Sequence, residues 1–96
     1  MGRTNDKTLK EAIEQMLQVY KIKRKFDETS LIAAWPELMG KAVANRTRQI
    51  YIRDRKLFIR VESSVLKNEL LMIRSQILAR LNEHAGSQVL DEIVFL

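Results

Sequence analysis

From Thr47 to Glu62 the chain reads TRQIYIRDRKLFIRVE, with apolar and polar positions alternating at period two on either side of Asp54-Arg55. This alternation predicts a β-hairpin closed by a two-residue turn. Counting outward from the turn pairs Arg53 with Lys56, Ile52 with Leu57, Tyr51 with Phe58, Ile50 with Ile59 and Gln49 with Arg60. Ile50, Ile52, Leu57, Ile59 and Val61 then share one side and require a core. Gln49, Tyr51, Arg53, Lys56, Phe58 and Arg60 share the other, which sets two opposed rings among cations.

Helical spacing takes over on both flanks. Leu9, Ala12, Ile13, Met16 and Tyr20 share one face of a helix that begins near Asp6 to Thr8, where Thr8 and Glu11 have the spacing of a capping box; Met1 to Asn5 are expected to be frayed. That helix is expected to end in Lys21–Lys25 (KIKRK), where cations suit a helix C-terminus. A second helix, Phe26 to about Met39, places Leu31, Trp35 and Leu38 together, with Trp35 as a core anchor. Pro36 predicts a kink or a fresh turn. Gly40 follows as a C-cap, and Lys41 to Asn45 form a further turn.

Beyond the hairpin, Ser63-Ser64 caps the longest predicted helix, which runs to about Glu83 or His84 with Leu66, Leu70, Ile73, Ile77 and Leu81 as its stripe. Ala85-Gly86-Ser87 ends it. Val89 to Phe95 predicts a last strand with apolar residues on both sides, so its place in the sheet, edge or centre, stays open. The expected fold is α+β: a three-stranded sheet with helices on one face, in the order α-α-β-β-α-β.

Composition narrows the function. Ninety-six residues, 46% of them hydrophobic, suit one domain, 1–96. The absence of cysteine excludes a disulfide scaffold and thiol chemistry. No apolar run reaches membrane-spanning length, no leader is recognisable, and the myristoylation-like start has Asp6 where Ser or Thr is required, so a cytoplasmic protein is expected. The formal charge of +5 favours an anionic partner, nucleic acid before membrane, since no strongly basic amphipathic helix stands out. Lys21–Lys25 and Arg46–Arg60 together hold ten of the seventeen basic residues and a single acid, Asp54.

Catalytic chemistry finds little support. His84 is the one histidine, no thiol accompanies it, and no glycine-rich phosphate loop is present. Ser64 and Lys67 match an S-x-x-K spacing, but Ser64 stands where a helix cap is needed and the companion motifs are missing. No enzymatic activity, cofactor or metal is expected.

The hairpin carries the stronger signal. Unpaired bases stack on aromatic rings while neighbouring cations hold phosphates. Tyr51 and Phe58 with Arg53, Lys56 and Arg60 supply both on one face. Two other readings of the same residues stand beside this one: an opposed aromatic pair stabilises any exposed hairpin, and rings with arginine also mark protein interfaces. The candidate nucleic-acid residues are Tyr51, Phe58, Arg53, Arg55, Lys56 and Arg60, with Arg46 and Arg48 leading into the hairpin and Lys21, Lys23, Arg24 and Lys25 in the basic segment.

Several short motifs carry a family resemblance. Trp35-Pro-Glu-Leu-Met-Gly40, Val43-Ala44-Asn45-Arg-Thr47, the hairpin, Val61-Glu-Ser-Ser-Val-Leu-Lys-Asn-Glu-Leu70 and Arg80-Leu81-Asn82 resemble the bacterial domain-of-unknown-function family seven-two-one, the DciA type. The resemblance spans about Thr8 to Phe95. It implies a K-homology-like domain that binds DNA, DNA rather than RNA, and the replicative helicase that such proteins help to load. Arg55 stands where the family often has glycine, Leu66 where it often has tryptophan, and no G-x-x-G loop is present. Many relatives carry a disordered tail, and a loader whose helicase contacts lie there would be incomplete in this chain. The expected function is therefore a non-enzymatic nucleic-acid-binding domain that also meets a replication protein. The alternative is a protein-interaction or homodimer module that uses the hairpin and the last strand without nucleic acid.

Overall fold

The computed structural model describes residues 6–96, and the fraying expected of Met1–Asn5 lies outside them. The chain runs α1 (Asp6–Met39), α2 (Lys41–Asn45), β1 (Thr47–Arg53), β2 (Lys56–Val61), α3 (Ser64–Met72), α4 (Arg74–Ala85) and β3 (Glu92–Phe95). This is an α+β fold around a three-stranded mixed sheet.

The first correction concerns α1. Two helices separated by Lys21–Lys25 are expected, yet a single helix of 34 residues forms. Nothing in the basic segment breaks a helix, because it holds neither glycine nor proline. Lys23–Asp27 at 2.8 Å and Arg24–Glu28 at 3.3 Å tie successive turns across the junction. Asp6 is already helical, so Thr8 lies within the first turns rather than at the N-cap. Pro36 starts no new turn; it sits in the last turn of α1, and the Gly40 amide donates to the Pro36 carbonyl at 2.8 Å. Gly40 then takes φ 87, a backbone conformation that suits glycine, and α2 follows.

The hairpin forms in the expected register, with all five pairs as counted from the turn. A bulge between Thr47 and Gln49 makes Arg48 the extra residue and brings Thr47 opposite Val61. β3 lies parallel to β2, giving the order β1-β2-β3, so the strand whose place was open is an edge and β2 is central. Central position explains the burial. Leu57 and Ile59 on β2 are fully covered, whereas Ile50 and Ile52 on β1 are half-buried against the same cluster.

The single helix expected after the hairpin is instead two helices. Ser63 caps α3 by accepting the Leu66 amide at 3.3 Å, and the helix breaks at Ile73, where φ −113 and ψ 21 depart from helical values. The break turns Ile73 out of the stripe and leaves it 39% exposed, while Leu70, Ile77 and Leu81 remain buried. Those three join Leu31 and Trp35 of α1, Leu57, Ile59 and Ile93 of the sheet, and Val89 and Leu90 to form the core. Trp35 is the anchor the sequence suggests: it is 2% exposed and its indole N–H donates to Thr47 Oγ1 at 3.0 Å.

The last strand is shorter than expected because Val89 and Leu90 do not pair with the sheet. Their amides donate instead to Asn82 Oδ1, each at 2.9 Å, and Asn82 Nδ2 donates to the Leu90 carbonyl at 3.0 Å. One side chain thus satisfies three backbone groups of a buried connection.

Candidate nucleic-acid interface

Helices gather on the core side of the sheet and leave the rings on the other. Tyr51 and Phe58 are stacked, with centroids 5.0 Å apart and planes 11° from parallel. The stacking follows from register, since directly opposed residues on adjacent strands bring their side chains together. Val94 of β3 is paired with Phe58 and extends the apolar row across the sheet, a neighbour the sequence could not place while the strand's position was open. All three are half-buried.

Cations border this row unequally. Lys56 lies 3.7 Å from Glu92, its partner across the parallel ladder, so that lysine is partly neutralised. Arg60 Nε reaches Gln49 Oε1 at 3.5 Å, a neutral partner that leaves the guanidinium charge available. Arg53 is exposed at the end of β1, next to the turn.

The remaining candidate residues fall in three other places. Arg48, on the bulge, pairs with Glu62, and Arg46 donates to the Ala42 carbonyl at 3.4 Å, both at the end of the hairpin away from its turn. Lys21 and Lys25 are exposed on α1. Lys23, Arg24 and Arg55 line one small cleft of about 130 Å³ with Tyr20, Asp27, Gln88 and Val89. The structure therefore joins the two basic segments, but at the turn of the hairpin. Within that cleft Arg55 is held by Asp91, Nε to Oδ2 at 2.9 Å and Nη2 to Oδ1 at 3.1 Å, and Nη2 also donates to the Gln88 carbonyl at 2.7 Å. Hydrogen bonding to Arg55 holds the Asp91 carboxyl below the usual carboxylate range, and the same bond raises Arg55 further.

Among the described residues no cluster of His, Asp and Glu could hold a metal ion, and no helix is long and apolar enough to cross a membrane. The sheet face opposite the core thus carries a stacked pair of half-buried rings bordered by Arg53, Lys56 and Arg60.

Comparison with known proteins fixes the family. Residues 8–95 match the family described as "Dna[CI] antecedent, DciA". The chain belongs to the DciA family. That family is linked to loading of the replicative helicase in DNA replication and is not a known enzyme family. A UPF0232 protein of Corynebacterium glutamicum (strain R) is 37% identical over 59 residues, which cover 62% of this chain and 33% of that relative. The chain thus spans about a third of the length of the curated relative it matches. No solved structure matches it significantly.

Proposed function

We propose that this DciA-family chain acts as one non-enzymatic domain that binds DNA through the sheet face bearing Tyr51 and Phe58, in the service of replicative-helicase loading in the bacterial cytoplasm. The stacked pair on the face opposite the core carries the reading. A ring pair parallel to within 11° presents flat apolar surface on which an unpaired base can lie. Arg53 and Arg60, two residues along the strands from Tyr51 and Phe58 and exposed, are the cations offered for phosphate. The K-homology likeness belongs to this proposal. The break between α3 and α4 is Ile73 alone, between Met72 and Arg74, with no glycine there to cradle a phosphate, so contact to a DNA backbone falls to side chains.

Contact with the replicative helicase rests on family membership, and DNA contact rests on the face itself. A salt titration with single-stranded oligonucleotide tests the second independently of the first. Affinity is expected to fall by about 0.7 log units per log unit of salt for each phosphate neutralised. An affinity that ignores salt would return the face to protein contact.

A further inference from the structure

The first half of α1 carries an apolar stripe that the described residues leave largely uncovered, with only Tyr20, at its end, reaching the cleft beside Arg55. Leu9, Ile13, Met16 and Tyr20 are 54%, 47%, 71% and 55% exposed. Every residue from Asp6 to Lys23 is exposed. The stripe is no local accident, because at helical spacing it continues into Leu31 and Trp35, which the body buries to 3% and 2%. One face of one helix is thus core at its C-terminal end and bare at its N-terminal end. The molecule measures 67 × 20 × 19 Å, an elongation to which a helix of about 51 Å contributes most. A contiguous apolar surface of this kind marks an interaction site.

Charge and symmetry identify the occupant. Residues 6–15 carry Asp6, Glu11 and Glu14 against Lys7 and Lys10, whereas residues 16–25 carry Lys21, Lys23, Arg24 and Lys25 and no acid. Laid parallel, two such arms would set four cations against four. Laid antiparallel, each cationic half lies along an acid-rich half. The stripe is also self-complementary about the point between Glu14 and Gln15. Leu9 and Tyr20 are equidistant from that point, as are Ile13 and Met16, and so are Asp6 and Lys23. A two-fold axis there places Leu9 of one copy by Tyr20 of the other, Ile13 by Met16, and Asp6 by Lys23, as an isologous contact requires.

We propose that α1 pairs antiparallel with α1 of a second copy along Leu9, Ile13, Met16 and Tyr20, making the protein a homodimer. This contact is separate from the sheet face and does not depend on the DNA-binding reading. Sedimentation equilibrium of the full chain at micromolar concentration is expected to give a mass near twice 11.2 kDa. The double variant Ile13→Glu/Met16→Glu should halve that mass while Trp35 fluorescence still reports a folded body, since neither residue touches the core. A parent that sediments as a monomer overturns the proposal and leaves the stripe to a different protein. A double variant that stays dimeric overturns it too, because the contact then lies elsewhere. Orientation is read separately, since the chain has no native cysteine. Mixed Asp6→Cys and Lys23→Cys proteins should form the mixed disulfide on mild oxidation, and neither variant alone should cross-link efficiently. Cross-linking of each variant only with itself would show a parallel pair and refute the antiparallel arrangement.

Discussion

Arg55 and Asp91 are joined twice, once through their side chains and once through their backbones. The guanidinium meets the carboxylate at 2.9 and 3.1 Å, and the Asp91 amide donates to the Arg55 carbonyl at 2.7 Å. Both turn residues lie in the left-handed region, Asp54 at φ 52 and Arg55 at φ 63, which is the type I′ conformation that matches strand twist. Asp tolerates it; Arg does so at a cost. The link to Asp91 offsets that cost and at the same time fixes the start of β3 beside the turn, so the residue that departs from the usual glycine has acquired a structural partner.

Substitution at Arg55 separates the two contributions. Arg55→Ala removes the side-chain link and keeps the left-handed strain, whereas Arg55→Gly removes both. The glycine variant is expected to be the more stable of the two by about 1 kcal/mol, from backbone conformation alone. Urea denaturation of the pair checks this, and equal midpoints would mean that the turn carries no strain.

The same pair gives stability an acid dependence. The Asp91 carboxyl has a lower pKa in the folded chain than when unfolded, chiefly because Arg55 donates to it. Its contribution is therefore complete above the usual carboxylate range and is lost as pH falls from that range through the depressed folded value. Asp91→Asn should lower stability at neutral pH and flatten the loss between neutral and acid conditions. A variant that keeps the parent's full acid slope would assign the dependence to other carboxylates.

Asn82 is expected to matter more than its surface-like sequence context suggests. Asn82→Ala leaves the amides of Val89 and Leu90 without their acceptor, at positions only 8% and 0% exposed. Each unsatisfied buried group costs about 1–3 kcal/mol. Asn82→Asp keeps the acceptor and loses the donor to Leu90, so it should fall between the parent and the alanine variant in thermal midpoint.

The hairpin was legible because period-two alternation and a two-residue turn determine every cross-strand pair at once. The break at Ile73 was not. Leu66, Leu70, Ile73, Ile77 and Leu81 keep helical spacing straight through it, and no glycine or proline marks it. The junction within α1 misled in the opposite sense, since four cations interrupt the apolar pattern without interrupting the helix. The candidate residues of the hairpin face could be grouped from alternation alone, but Arg55's engagement by Asp91 depends on where β3 docks, which local pattern does not encode. Burial now redistributes the energetic expectation. Ile77→Ala should cost about 2–5 kcal/mol, the range for a buried large-to-small change, and Ile73→Ala well under half as much. Chemical denaturation of the two variants checks the placement of the break.

The sheet face permits base stacking and charge to be told apart, because its rings and its cations sit on the same strands but answer to different physics. Tyr51→Ala or Phe58→Ala removes one member of the stacked pair and leaves Leu57 and Ile59, on the core side, untouched. Each is expected to fold and to lose about 1–3 kcal/mol of single-strand affinity, the usual worth of a base on a ring. The loss should be similar at low and high salt. Arg53→Gln and Arg60→Gln should weaken binding mainly at low salt and reduce the salt slope, since each removes a phosphate contact that the proposal assigns. Lys56→Gln should do less, because Glu92 at 3.7 Å already offsets that charge. The two classes must differ in slope if both bind as proposed. Ring variants that fold and bind like the parent would remove the stacking platform, and the face would then be a protein contact. Ring variants that unfold would show that a structural partner covers the rings.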